Sequence, residues 1–166
     1  MISIIPYQSN WPTQFEQLSR TLHEALGDLA LRIDHIGSTA VSGLAAKNII
    51  DIQITTTALT TELENALNKI GYQRILSVTK DHTPAGTREA PEEWIKWFFT
   101  APNNQCSANI HVRLAGRANQ RYSLLFRDFL RAHPQVATAY GQTQQALTLS
   151  AVLTPIVDPI VQTIFS

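Results

Sequence analysis

The chain has 166 residues, enough for one domain (1–166) that buries most of its apolar surface without staples. Thirteen Lys and Arg against thirteen Asp and Glu give zero formal net charge, which disfavours a non-specific nucleic-acid binder or a partner of acidic membranes. One cysteine, Cys106, excludes an intrachain disulfide and a multi-cysteine zinc site, and its plainest reading is a loop residue near a strand.

The start, Met1-Ile2-Ser3-Ile4-Ile5-Pro6, lacks a basic segment and a long apolar core, and nowhere do about eighteen apolar residues run together. The expectation is a cytoplasmic protein without a membrane partner. Residues 3–7 read as an edge strand or extended arm, stopped by Pro6. Asn10 can cap the next segment, a helix with Pro12 in its first turn. Trp11, Phe15, Leu18, Leu22, Ala25 and Leu26 form its apolar stripe, and Gly27 ends it. Trp11 reads as core rather than as a stacking platform.

Residues 30–36 and 49–55 have the length and β-branched content of buried strands. Between them lies a small-residue loop with two glycines, hydroxyls and Lys47. Gly37 lets the backbone turn sharply and lets a ligand approach it, while the Ser38 and Thr39 hydroxyls and successive N–H groups can line an anion-binding nest. Lys47 adds a mobile positive charge, and Asp51 on the returning strand adds a hard oxygen ligand suited to Mg²⁺. Gly-Ser-Thr sequences also turn strands in folds that bind nothing. The ordered set of His35, Gly37, Ser38, Lys47 and Asp51, however, is not demanded by any turn.

Leu59, Leu63, Ala66, Leu67 and Ile70 make a second amphipathic helix stopped by Gly71, and 72–79 alternates as a strand. Strand, helix and strand in succession imply a crossover, hence α/β or α+β rather than a bundle. Residues 80–93 form a loop with seven charged or histidine positions among fourteen. Lys80, His82 and Arg88 could reach a phosphate from it, against the plainer reading of a solvated segment. Residues 94–100 and 108–114 are strands joined by the turn 101–107, a hairpin.

His111 and Arg113, two apart on the last strand, share a face. A lone His on a strand is more often hydrogen-bonded structure than a ligand. Arg113, Arg117, Arg121, Arg127 and Arg131 place five of thirteen basic residues within nineteen positions. Tyr122, Leu125, Phe126, Phe129 and Leu130 form a helix stripe that leaves Arg127 and Arg131 on a neighbouring face. They read there as a bidentate phosphate fork or as a salt-bridged surface, with Asp128 as a pairing acid. After residue 131 the ionisable side chains are His133 and Asp158. Pro134 starts a helix bearing Val136, Tyr140, Leu147 and Ala151, and Pro155 and Pro159 break the remaining residues into short pieces. Such an uncharged end must pack across the domain or form a homodimer contact.

His35-Ile36-Gly37-Ser38-Thr39-Ala40-Val41, Gly43-Leu44-Ala45-Ala46-Lys47 and Ile49-Ile50-Asp51-Ile52 resemble the central motif of the GrpB family, also called UPF0157. Phe126-Arg127-Asp128-Phe129-Leu130-Arg131-Ala132-His133-Pro134 resembles its second hallmark, and the order and spacing match over nearly the whole chain. The resemblance implies a nucleotidyltransferase-like α/β (α+β) fold, a mixed sheet with flanking helices. In it, a Gly-Ser turn and a carboxylate strand hold a nucleoside triphosphate with divalent metal. It also implies a His such as His111 in a strand facing the motif, where catalytic relatives keep a carboxylate. Where family members carry lysines in the last two helices, this chain offers Gln144 and Val157.

Two-metal transfer needs clustered carboxylates, yet the position two beyond Asp51, an acid in active nucleotidyltransferases, is Gln53. Two readings result. In the first, a nucleotide or other phosphorylated ligand is cradled by Gly37, Ser38 and Thr39 and neutralised by Lys47, while Asp51 with Gln53 or His111 holds Mg²⁺ for nucleotidyl or phosphoryl transfer. In the second, a catalytically inactive module keeps the fold and binds a protein.

Overall fold

The computed structural model describes residues 3–148, so the expectations for Ala151, Pro155, Val157, Asp158, Pro159 and the terminal homodimer contact lie outside the described residues. In chain order the elements are β1 (Ile4–Ile5), α1 (Trp11–Leu26), β2 (Arg32–Ile36), β3 (Ala46–Lys47), β4 (Ile50–Thr56) and α2 (Thr61–Lys69). They continue with β5 (Gln73–Arg74), β6 (Lys96–Thr100), β7 (Ala108–Leu114), α3 (Ala118–Ala132) and α4 (Pro134–Thr148). Five strands form a mixed sheet in the order β2-β4-β7-β6-β5, in which β4 and β7 run parallel and the other pairs antiparallel. β1 and β3 form a separate two-stranded ribbon that registers Ile4 with Lys47.

The alternation of β4 sets the two faces of the sheet. Ile50, Ile52 and Ile54 point to one side and are fully buried with Ile110, Val112 and Phe99. Leu18, Leu22 and Leu26 of α1 and Leu63 and Leu67 of α2 join them in one core. Each such side chain removed from water stabilises the fold by roughly 1.5–3 kcal/mol. Trp11 is wholly buried, and its indole N–H donates to Asn48 Oδ1 at 2.9 Å, so it belongs to the core as expected. The other face carries Asp51, Gln53 and Thr55 in register with Asn109, His111 and Arg113. Polar side chains thus occupy a sheet face that α3 partly covers.

Three local expectations are corrected. The strand at 72–79 shrinks to Gln73–Arg74, because Leu76 finds no buried face and the chain turns through Val78 N–H onto the Ile75 carbonyl. Trp94 is buried at the end of a short 3₁₀ turn, Pro91–Trp94, and the strand begins at Lys96. Asn10 has helical backbone angles and gives α1 no side-chain cap. Thr60 does cap α2, accepting from Leu63 N–H. Gly27 closes α1 and the 101–107 hairpin forms as the sequence indicates. Among the described residues no helix is long and apolar enough to cross a membrane.

Candidate functional site

β2 runs into Gly37, whose φ of 72° and ψ of −172° lie in a region open essentially to glycine. A Cβ there would also stand 2.7 Å from Asp51 Oδ2. Conformation and contact therefore both require glycine, and both bring the turn against the carboxylate. The turn continues as a 3₁₀ helix, Ser38–Ala40, closed by Val41 N–H onto the Ser38 carbonyl. Thr39 Oγ1 donates to the Ile49 carbonyl and so accepts from His35 Nε2 at 3.0 Å.

Ser38, Thr39, Lys47, Asp51 and Gln144 line one cavity of about 170 Å³. Lys47 reaches it from the β1–β3 ribbon, and Gln144 from α4, accepting from Ser38 Oγ at 3.3 Å while donating to Tyr140. α4 comes this close because residue 141 is glycine: a Cβ there would lie 2.8 Å from Leu44 Cδ1. Burial pushes the Tyr140 phenol above its ordinary value, against the hydrogen bond it accepts from Gln144.

Asp51 Oδ1 accepts from Asn109 Nδ2 at 3.1 Å and lies 3.6 Å from His111 Nε2. On its other side, His111 Nδ1 is 3.1 Å from the Lys96 ammonium, which also donates to Asp81 Oδ1 at 2.6 Å. Burial holds His111 below the ordinary imidazole value, against the pull of Asp51. Asp81 accepts both Nε and Nη2 of Arg113, at 2.8 and 2.9 Å, and the amide of Asn119 at 3.0 Å. Burial would raise the Asp81 carboxyl, but Arg113 and Lys96 outweigh it and hold it well below the usual carboxylate range. Lys96 in turn is lowered by burial, against Asp81.

This network corrects two assignments. Arg113 is buried, and its guanidinium is spent on Asp81, Gln53 and Ser123, so it does not reach a ligand. Gln53 is wholly buried, its oxygen taken by Arg113 and Ser123 and its nitrogen by the Gln120 carbonyl, so it offers no oxygen to a metal.

His35, Arg127 and Arg131 line a different, larger cavity of about 720 Å³ together with Phe15 and Asp34. Arg127 donates to the His35 carbonyl at 3.0 Å and to Asp128 at 2.8 Å, and Arg131 Nε donates to the Ala40 carbonyl at 2.9 Å. The pair thus clamps the backbone at both ends of the Gly37 turn rather than forming a free fork. His35 stacks on Phe15 with ring centroids 4.8 Å apart, and burial with the nearby Arg131 lowers it to about 4.

The structure therefore brings Ser38, Thr39, Lys47 and Asp51 around one opening and backs them with Gly37. His111 lies behind Asp51, and His35, Arg127 and Arg131 lie across the turn. Asp81, Lys96 and Asn109 were missed. A lysine heading a run of three aromatics in 96–100 was the available signal, since a cation on a covered sheet face needs a carboxylate. Among the described residues no three His, Cys, Asp or Glu side chains form a metal-binding group. Asp51 alone fits one cation shared with phosphate oxygens, and the residues do not fit a two-metal site.

Comparison with known proteins shows the family and the fold. A dephospho-CoA kinase of Mycolicibacterium paratuberculosis is 34% identical over 84% of this chain, and the match spans 38% of that protein, little more than a third of its length. A UPF0157 protein of Halalkalibacterium halodurans is 31% identical over 88% of this chain and 69% of its own. The crystal structure of the conserved protein GrpB from Enterococcus faecalis superposes with a TM-score of 0.70 at 25% identity, covering 98% of this chain and 94% of that one. Cid1 in complex with its short product ApU gives a TM-score of 0.50 at 15% identity over 80% of this chain and 38% of that one, a likeness of fold that makes the architecture nucleotidyltransferase-like. The family model described as GrpB protein matches residues 1–152, and with the Gly37 turn, the Asp51 strand and these relatives together, the chain belongs to the GrpB family.

Proposed function

We propose that the protein binds a nucleotide or another phosphorylated small molecule in the cavity beside Gly37. One observation carries the reading: a hydroxyl, an ammonium and a carboxylate, from Ser38, Lys47 and Asp51, line the same small opening beside the Gly37 turn. The Ser38 hydroxyl and the turn's N–H groups would hold phosphate oxygens, and Lys47 would neutralise them. A Mg²⁺ ion shared between Asp51 and the ligand would add further charge neutralisation. The nucleotidyltransferase-like fold and the relatives named dephospho-CoA kinase support a nucleotide-related ligand.

Transfer chemistry is the weaker half of this reading, because Gln53 stands where a second acid would help to clamp a metal and its amide is fully engaged. That observation favours binding without turnover, in a fold-retaining module that acts through its ligand state or through a protein partner. Calorimetry with ATP, UTP and dephospho-CoA, each with Mg²⁺, tests it. At least one should bind, and both Ser38→Ala and Asp51→Ala should weaken it about tenfold or more, the usual scale for lost charge-assisted contacts. Absence of heat with all three would move the assignment to the protein-binding module, and labelled triphosphate would reveal any turnover.

A further inference from the structure

We propose that Lys96, anchored by Asp81, fixes His111 as the tautomer with its proton on Nε2, making the ring a positioning donor that orients Asp51 for the ligand site. This rests on the reading of Asp51 as part of that site. An ammonium has donors and no acceptor, so the ring nitrogen that meets Lys96 Nζ at 3.1 Å must present its lone pair. Arg113 Nη2 stands 3.5 Å from the same Nδ1 and can also only donate. A neutral ring that accepts on Nδ1 carries its proton on Nε2, the atom 3.6 Å from Asp51 Oδ1.

The ligand site is affected in two ways. Asn109 donates to Oδ1 and the His111 Nε2–H faces the same oxygen from 3.6 Å, close enough to tighten onto it when a ligand settles the carboxylate, while the other oxygen, Oδ2, lies against Gly37. Nε2, carrying a proton, has no lone pair for a cation, so His111 does not take the place of a missing metal-binding acid. Its part is that of the outer partners that orient ligating groups, whose removal typically costs about 10–100-fold in metal affinity.

Long-range ¹H–¹⁵N correlation of ring-labelled protein near neutral pH reads the tautomer directly. The expected spectrum shows His111 neutral and protonated at Nε2. In Lys96→Met the single-tautomer pattern should give way to exchange between forms or shift position, with circular dichroism confirming the fold. A wild-type ring protonated at Nδ1, or at both nitrogens, would overturn the proposal. In a second arm, Mn²⁺ affinity is measured in the presence of ATP by electron paramagnetic resonance. His111→Gln, which keeps an N–H donor near the Nε2 position, should stay within about threefold of wild type, whereas His111→Asn, whose donor falls short, should lose roughly tenfold or more. Equal affinities for the two variants would also overturn it. If wild type binds no Mn²⁺ with ATP, nor with UTP or dephospho-CoA in its place, the ligand reading fails, and the tautomer spectrum alone still decides the role of His111.

Discussion

Two polar regions share the same face of β4 and β7 and have opposite characters. Around Asp81, the groups are buried and committed to one another: Arg113, Lys96, Asn119, Gln53 and Ser123 interlock over strands and α3. Around Asp51, two residues earlier on β4 than Gln53, the carboxylate stays partly exposed beside the exposed Lys47, packed against the Gly37 turn. A committed buried network and a partly open cavity are thus separated by a few residues along the same strands. A buried charge without its partners costs far more than an exposed one, so the first region tolerates no vacancy, while the second can leave bonding capacity for a guest.

That division is tested most severely at Asp81. Asp81→Ala strands the buried Arg113 and Lys96 charges and should destabilise the fold by about 3–5 kcal/mol in denaturant unfolding. A loss below about 1 kcal/mol would show that water reaches the network. Gly37→Ala probes the division from the other side. The backbone strain, of order 1–3 kcal/mol, and the contact with Asp51 should lower the melting temperature and abolish ligand binding together, whereas Asp51→Ala should affect binding with little loss of stability.

Acid adds a test at the turn that needs no substitution. His35 titrates near 4 in the folded chain and near its ordinary value of 6.5 when unfolded, so the unfolded state takes up the proton first. The stability due to its neutral form is complete above about pH 6.5 and is lost progressively as pH falls toward about 4. The melting temperature should fall through that window, and His35→Gln should flatten the slope. A slope unchanged in the variant would assign the acid sensitivity to other groups.

Most of the architecture was legible because it rests on local pattern: the isoleucine alternation of β4, the leucine spacing of α1 and α2, and the Gly-Ser turn between two apolar runs. The candidate opening was legible for the same reason, since Ser38, Lys47 and Asp51 lie within one short stretch. Pairing between distant segments escaped. Asp81 sits 32 residues from Arg113, in a loop whose charges read as solvated, and nothing local marks it as the one that turns inward. Arg127 and Arg131 had the right spacing for a phosphate fork, yet carbonyls contributed by the Gly37 turn 92 and 91 residues away claim them. Spacing reports which side chains travel together, and their partners are set by packing.

The glycine at position 141 gives α4 a flush fit on Leu44, and from there Gln144 forms the ceiling over Ser38. The height of that cavity is therefore set by a helix outside the sheet, through an atom that is missing rather than one that is present. An added methyl at that spot would stand 2.8 Å from Leu44 Cδ1, so either the leucine tip turns aside or the helix lifts, and only the second changes the chamber.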